Sequence, residues 1–188
     1  MWAVMRFGVA RGLFSNESGL GSAAIAHAPA KTNEPVREGL VAMLGPFIDT
    51  IVICTMTALV IIISGLWDSG QSGASLSSNA FAATLPVFGE YVVSLGLSVF
   101  AFTTLIGWSY YGDRNIEFLI GEKAVIYYRI LFVMLIPLGA ILKLKIVWNF
   151  SDIANALMAI PNLIGVLALS GLVVKMSNDY FKKTDDLK

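Results

Sequence analysis

Four apolar runs, roughly residues 40 to 66, 89 to 108, 124 to 142 and 153 to 174, constrain this chain more than any motif in it. A helix needs about 20 mostly apolar residues to cross the hydrocarbon core of a bilayer, and within that layer its backbone polar groups must bond inside the element. Each run meets or approaches that length, so the chain reads as an all-α integral membrane protein. Composition agrees. With 56% hydrophobic residues, 14% charged residues and a mean hydropathy of +0.74, the 188 residues lie outside the range of soluble domains. A formal net charge of zero offers neither an acidic tail nor a basic surface, and no nucleic-acid partner is expected. Cys54 is alone inside an apolar run, so neither a disulfide framework nor a cysteine metal site is expected. The opening "MWAVMRFGVARG" lacks the apolar core of a signal peptide and reads as a helix met part-way along.

The charges and helix breakers divide the chain. Residues 1–39 read as the end of a preceding helix followed by a cytoplasmic small-residue loop, and residues 40–66, 89–111, 124–145 and 153–175 as membrane helices. Residues 67–88 form an extracytoplasmic loop with room for a short surface helix around "NAFAATL", and 146–152 an extracytoplasmic turn. Residues 112–123 form a cytoplasmic turn and 176–188 a charged cytoplasmic tail. On this layout Arg6, Arg11, Lys31, Arg37, Arg114, Lys123, Arg129, Lys175, Lys182, Lys183 and Lys188 share one side, against Lys143 and Lys145 on the other. Basic residues favour the cytoplasmic side, which sets the orientation. Trp67, Tyr91, Trp108, Tyr110, Tyr111, Trp148 and Tyr180 lie near span ends, where amphipathic rings favour the headgroup layer.

Polar residues inside or beside the spans are the candidates for chemistry. In "RGLFSNESGLGSAAIAHAPA" the triplet Gly19-Leu20-Gly21 superficially matches a dinucleotide fingerprint, but no strand precedes it and no βαβ unit follows. Small residues there would let helix ends pack closely, with Asn16 and Glu17 pairing with Arg11 or capping a helix. Asp49 lies inside the first span, where an ionisable group is costly, and Thr50, Cys54 and Thr57 continue a weakly polar stripe. Asp49 belongs either to an ion or gating path or to a brace against Asn16 or Arg11. In the second span Gly96, Phe100, Thr103 and Gly107 share a helical ridge, with Thr104 adjacent. The two threonine hydroxyls suit a hard cation, or simply bond back to carbonyls one turn earlier. His27 is the sole histidine and reads as solvated or capping, and Pro46, Pro137 and Pro161 should kink their spans. No apolar run contains His or Lys and no G-x-S-x-G turn occurs, so an enzyme is not expected.

"RGLFSNESGLGSAAIAHA" followed by "PVREGLVAMLGPFIDTIVICTMTALVIIISG" resembles the signature region of the sodium:alanine (alanine or glycine:cation) symporter family, and "GWSYYGDRNIEFLIG" resembles a second block of it. The likeness runs from Phe7 to about Val174 and corresponds to the family's C-terminal part. That family resembles the LeuT-type transporters, whose inverted repeats pack broken first and sixth core helices around a midplane site. The comparison implies four spans equivalent to core helices seven to ten, with residues 1 to 14 as the end of the sixth and the opening stretch as the cytoplasmic turn after it. It implies sodium as coupling ion, held by the Phe100 carbonyl and the Thr103 and Thr104 hydroxyls. A gating or intramembrane polar role falls to Asn16, Glu17, Gly19, Gly21, Asp49 and Thr50. The expected partners are sodium, alanine or glycine, the lipid bilayer and the N-terminal half of the transporter, with no organic cofactor. The function expected is sodium-coupled symport of small neutral amino acids by alternating access across the cell membrane; the alternative is an accessory membrane subunit.

Overall fold

In the computed structural model, which describes residues 1–185, every regular element is a helix. The chain forms two compact units, one of Met1–Ile48 with Met134–Lys188 and one of Asp49–Val133.

In the first unit, helix α1 (Trp2–Asn16) stops because the chain turns left-handed immediately after it. Glu17 has φ 54, Gly19 +83 and Gly21 +90, while the Asn16 side-chain oxygen accepts the Ser18 N–H at 2.9 Å and fixes the turn. Left-handed backbone costs an L-residue its Cβ clearance, which is why glycine holds two of these three positions. Helix α2 (Ser22–His27) follows, then α3 (Pro35–Ala42), whose proline at the first helical turn lacks only an N–H that would be unbonded there anyway. The long helix α9 (Leu144–Asp185) completes this unit. At 1.5 Å per residue its 42 residues reach about 63 Å, far more than the roughly 30 Å of a hydrocarbon core. Pro161 lies inside it without ending it.

The first span, Pro35–Ile63, continues through α4 (Leu44–Pro46), a π-helical stretch Phe47–Cys54, and α5 (Thr55–Ile63). At Pro46 the winding changes. Proline cannot donate the backbone bond one turn back, and the ladder relaxes to the wider π register directly after it. The Thr55 hydroxyl marks that register by donating to the Thr50 carbonyl five residues earlier, at 3.5 Å.

In the second unit a 3₁₀ turn (Leu66–Asp68) leads to α6 (Ala74–Thr84), and α7 (Gly89–Leu119) follows. The start of α7 packs so closely on α6 that a Cβ at Gly89 would overlap the Phe81 carbonyl. Helix α7 outlasts its apolar run, and α8 (Glu122–Ile141) begins after a break of two residues, Ile120 and Gly121. Helical bonding does not stop where apolarity stops, because water satisfies the outer turns as well as lipid tolerates the inner ones.

Four helices are long and apolar enough to cross a membrane: Pro35–Ile63, Gly89–Leu119, Glu122–Ile141 and Leu144–Lys183. Among the described residues only Leu20 and Ala80 are buried apolar side chains, so the spans do not wrap a core of their own. Their hydroxyls are satisfied locally: Thr57 donates to the Ile53 carbonyl at 2.9 Å and Ser98 to the Ser94 carbonyl at 2.7 Å.

Candidate functional site

The left-handed turn at 17–21 does not lie at the end of α9 but against its middle. A Cβ built on Gly21 would sit 3.4 Å from the Asn162 side-chain oxygen, and Asn162 falls near the centre of the apolar run 153–174. The helix that opens the chain is therefore interrupted beside the apolar middle of α9, which sets part of the small-residue stretch within 1–39 against that helix. Leu20 and Ser22 are 5% and 1% exposed, so the interruption is packed rather than solvated. The Ser22 hydroxyl has no hydrogen-bond partner among the described residues. An unbonded buried hydroxyl is costly enough to require an explanation, and a ligand or a further piece of protein would supply one.

One turn before the interruption, α1 is held to α9 by four side chains. Arg11 donates to both carboxylate oxygens of Asp152, Nη1 to Oδ1 at 2.9 Å and Nη2 to Oδ2 at 3.1 Å. Its guanidinium lies 3.8 Å from the centre of the Trp148 ring, and Phe14 meets the same ring edge-on at 5.2 Å. Asp152 and Arg11 thus share one depth. The assignment of Arg11 to the cytoplasmic side and of residues 146–152 to the opposite side fails for this pair, since a bilayer cannot separate atoms 2.9 Å apart. Lysine and arginine counting reads loops, and Arg11 belongs to a helix.

Toward the other end of α9, His27 Nδ1 donates to Glu38 Oε1 at 2.6 Å, joining α2 to α3. An open cavity of about 640 Å³ between these helices is lined by His27, Thr32, Asn33 and Glu38 among small residues. Lys183 of α9 reaches Glu34 at 3.9 Å. His27, expected to be solvated or capping, has a specific carboxylate partner.

In the second unit Phe100, Thr103 and Thr104 lie along α7 as one exposed strip. The Thr103 hydroxyl donates to the Val99 carbonyl at 3.0 Å and the Phe100 carbonyl at 3.1 Å. The threonine thus makes the local back-bond, and the Phe100 carbonyl, inside the continuous helix α7, accepts that hydroxyl in addition to its place in the helical ladder. Asp49 and Thr50 lie in the π-helical stretch, their side chains 3.4 Å apart, with the hydroxyl donating to the carboxylate. Widened helical turns recur at functional sites because they free and re-aim backbone groups.

Sequence reading missed the most buried charge. Asp113 on α7 is 6% exposed and accepts from Arg129 of α8 at Oδ2, from Nε at 2.9 Å and Nη2 at 2.8 Å. Its Oδ1 is buried without a partner among the described residues. Tyr128 packs onto Gly112, where a Cβ would overlap its ring, and this close approach lets α8 reach Asp113. The signal was an arginine one turn inside an apolar run, which needs an acid nearby.

The profile of the sodium:alanine symporter family matches residues 1–188. This chain belongs to that family. It is 52% identical over 172 residues to a sodium/alanine symporter, AgcS, of Methanococcus maripaludis, covering 89% of this chain and 38% of that protein. It is 49% identical over 178 residues to an uncharacterized transporter of Haemophilus influenzae, covering 94% and 39%. To a probable sodium/glutamine symporter, GlnT, of Bacillus subtilis it is 38% identical over 183 residues, covering 96% and 38%. The chain thus spans about two fifths of the length of the curated relatives it matches. No solved structure matches it. Family and helices together support a multi-pass membrane protein.

Proposed function

We propose that this chain is the C-terminal part of a sodium-coupled symporter for alanine or glycine that works by alternating access in the cell membrane. The observation that carries the reading is the interrupted helix at residues 17–21, packed against the middle of α9. Irregular backbone at membrane depth is tolerated where it lines a cavity or is buried in protein, and discontinuous helices at midplane are where transporters hold substrate and ion. Residues Asn16, Glu17, Gly19 and Gly21 form that interruption. In this reading they belong to the gating region. The interruption lies within the sixth core helix of a LeuT-type arrangement, with Pro35–Ile63, α7, α8 and α9 as the seventh to tenth.

Sodium is a hard cation that takes oxygen ligands, and the Phe100 carbonyl with the Thr103 and Thr104 hydroxyls offers three on one helical face without a buried charge. Remaining ligands come from the longer part of the protein that the relatives carry. Asp49 and Thr50, in the widened turn of the first span, belong to the ion or gating path. The lysine and arginine asymmetry, Arg6 and Arg11 of α1 aside, supports a cytoplasmic C-terminus. AgcS is a sodium/alanine symporter and GlnT a probable sodium/glutamine symporter, which supports transport over an enzymatic role.

The test is uptake. The complete polypeptide reconstituted in liposomes should accumulate labelled alanine down an imposed inward sodium gradient. Equal uptake with potassium in place of sodium would remove sodium coupling, and no accumulation with either would favour an accessory subunit.

A further inference from the structure

We infer that Arg11, Phe14, Trp148 and Asp152 tie α1 to α9 as one rigid body, so that the movable part of the opening segment begins at the interruption after Asn16 and not at the start of α1. The inference rests on the transport reading, in which some part of this segment has to move. Arg11 and Phe14 are three residues apart on α1, and Trp148 and Asp152 four apart on α9, so each pair shares one helical face. Four groups from two faces meet at one place: a two-pronged ion pair at 2.9 and 3.1 Å, a guanidinium 3.8 Å above an indole, and an edge-on ring at 5.2 Å.

Each of these contacts alone would yield easily. Together they fix a register. The planar fork of arginine donates to a carboxylate in one orientation, and the same guanidinium must remain over the Trp148 ring while Phe14 keeps its edge contact. Rolling either helix, or sliding one past the other by a turn of about 5.4 Å, loses all four contacts at once. The junction is therefore a clamp with one setting.

Beyond the interruption the attachment to α9 changes character. Residues 17, 19 and 21 are left-handed, and α2 has six residues. The shortest polar contact of α2 and α3, His27 to Glu38 at 2.6 Å, joins them to each other and not to α9. Their ion pair with α9, Lys183 to Glu34, is 3.9 Å long with both side chains largely in the open, 75% and 45% exposed. Such a contact breaks and reforms at little cost. The segment α2 to α3 also packs on α9, along α3 and at Asn162 beside Gly21, so in this inference that packing, and not the α1 clamp, is what loosens when the segment swings on the turn at 17–21.

The decisive experiment bridges the clamp. In the complete polypeptide freed of other cysteines, Arg11→Cys with Asp152→Cys is joined by a short reducible bis-thiosulfonate reagent, and sodium-driven alanine uptake is measured before and after. The expected result is that bridging leaves uptake within about twofold of the unbridged pair. A loss beyond about tenfold, reversed by reductant, would overturn the proposal, because it would show that the two helices must part in each cycle. Should the double variant fail to fold or transport, spin labels at Val4→Cys and Phe150→Cys, on exposed positions of the same two helices, still decide it. Their separation should hold within about 2 Å on adding sodium and alanine, and a shift beyond about 5 Å would refute the clamp. Lack of uptake by the unmodified protein would sink the transport reading, with the label distance still judging the clamp.

Discussion

Gly21 has a neighbour that Gly19 lacks. Both have positive φ, but only at Gly21 would a Cβ meet a neighbour, the Asn162 side chain at 3.4 Å, while around Gly19 the space is open. Gly19→Ala should cost about 1–2 kcal/mol of backbone strain, and Gly21→Ala slightly less, since its Cβ gains an ordinary van der Waals contact with Asn162. Thermal unfolding of the two purified variants in detergent checks the order. Thr103 and Thr104 separate in the same manner: Thr103 is already bonded to two carbonyls, so Thr103→Val disturbs the helix as well as any ion site. Thr104→Val should leave stability unchanged and raise the sodium concentration for half-maximal uptake by roughly tenfold, the equivalent of one lost ligand bond. The pair of Asp113 and Arg129 is asymmetric in burial, 9% against 57% side-chain exposure. Arg129→Ala strands a buried carboxylate, whereas Asp113→Ala returns an arginine to water, so the arginine variant should give the lower unfolding temperature and yield of folded protein. Neither partner was legible as a partner in the sequence. They lie on different helices, sixteen positions apart, and only the closeness of Tyr128 to Gly112 brings them together.

At the scale of elements, the apolar runs announce the helices but not their ends or their winding. The turn after Pro46 is the clearest case. A proline in a span leaves a backbone bond unmade one turn back, and the chain shifts to a π register over Phe47–Cys54, the stretch that holds Asp49 and Thr50. Asp49→Asn keeps size and hydrogen bonding while removing the charge, so helicity by circular dichroism should persist while uptake loses its dependence on the sodium gradient. If folded protein disappears instead, Asp49 is a brace. The opening stretch shows the complementary limit. Its glycines marked a place where the backbone departs from helix, and asparagine next to them marked a side chain able to hold that departure. What no local pattern carried was the neighbour. Asn162 lies more than one hundred residues downstream, and its approach to Gly21 sets the stretch against the middle of α9.

For the whole molecule, a topology follows that is open to direct test. With the tail in the cytoplasm, Lys183→Cys should react with an impermeant maleimide only in inverted vesicles and Lys145→Cys only in intact cells; the opposite pattern would reverse the orientation. Membrane class, the count of spans and family were all present in the sequence, because crossing a bilayer demands length and apolarity that composition displays openly. So was the sign of the charge asymmetry, which depends on how many basic residues flank the spans and not on what they touch. Tertiary structure alone decided which charges meet. Arg11 with Asp152 and Arg129 with Asp113 are pairings between helices, and on a helix surface side chains repeat every three to four residues regardless of which neighbour will face them. Rotation and depth of one helix against another are set by packing, and packing is a property of two sequences far apart in the chain. Hence the sequence determined that helices cross the membrane and where one of them breaks, while the fold determined what that break lies against.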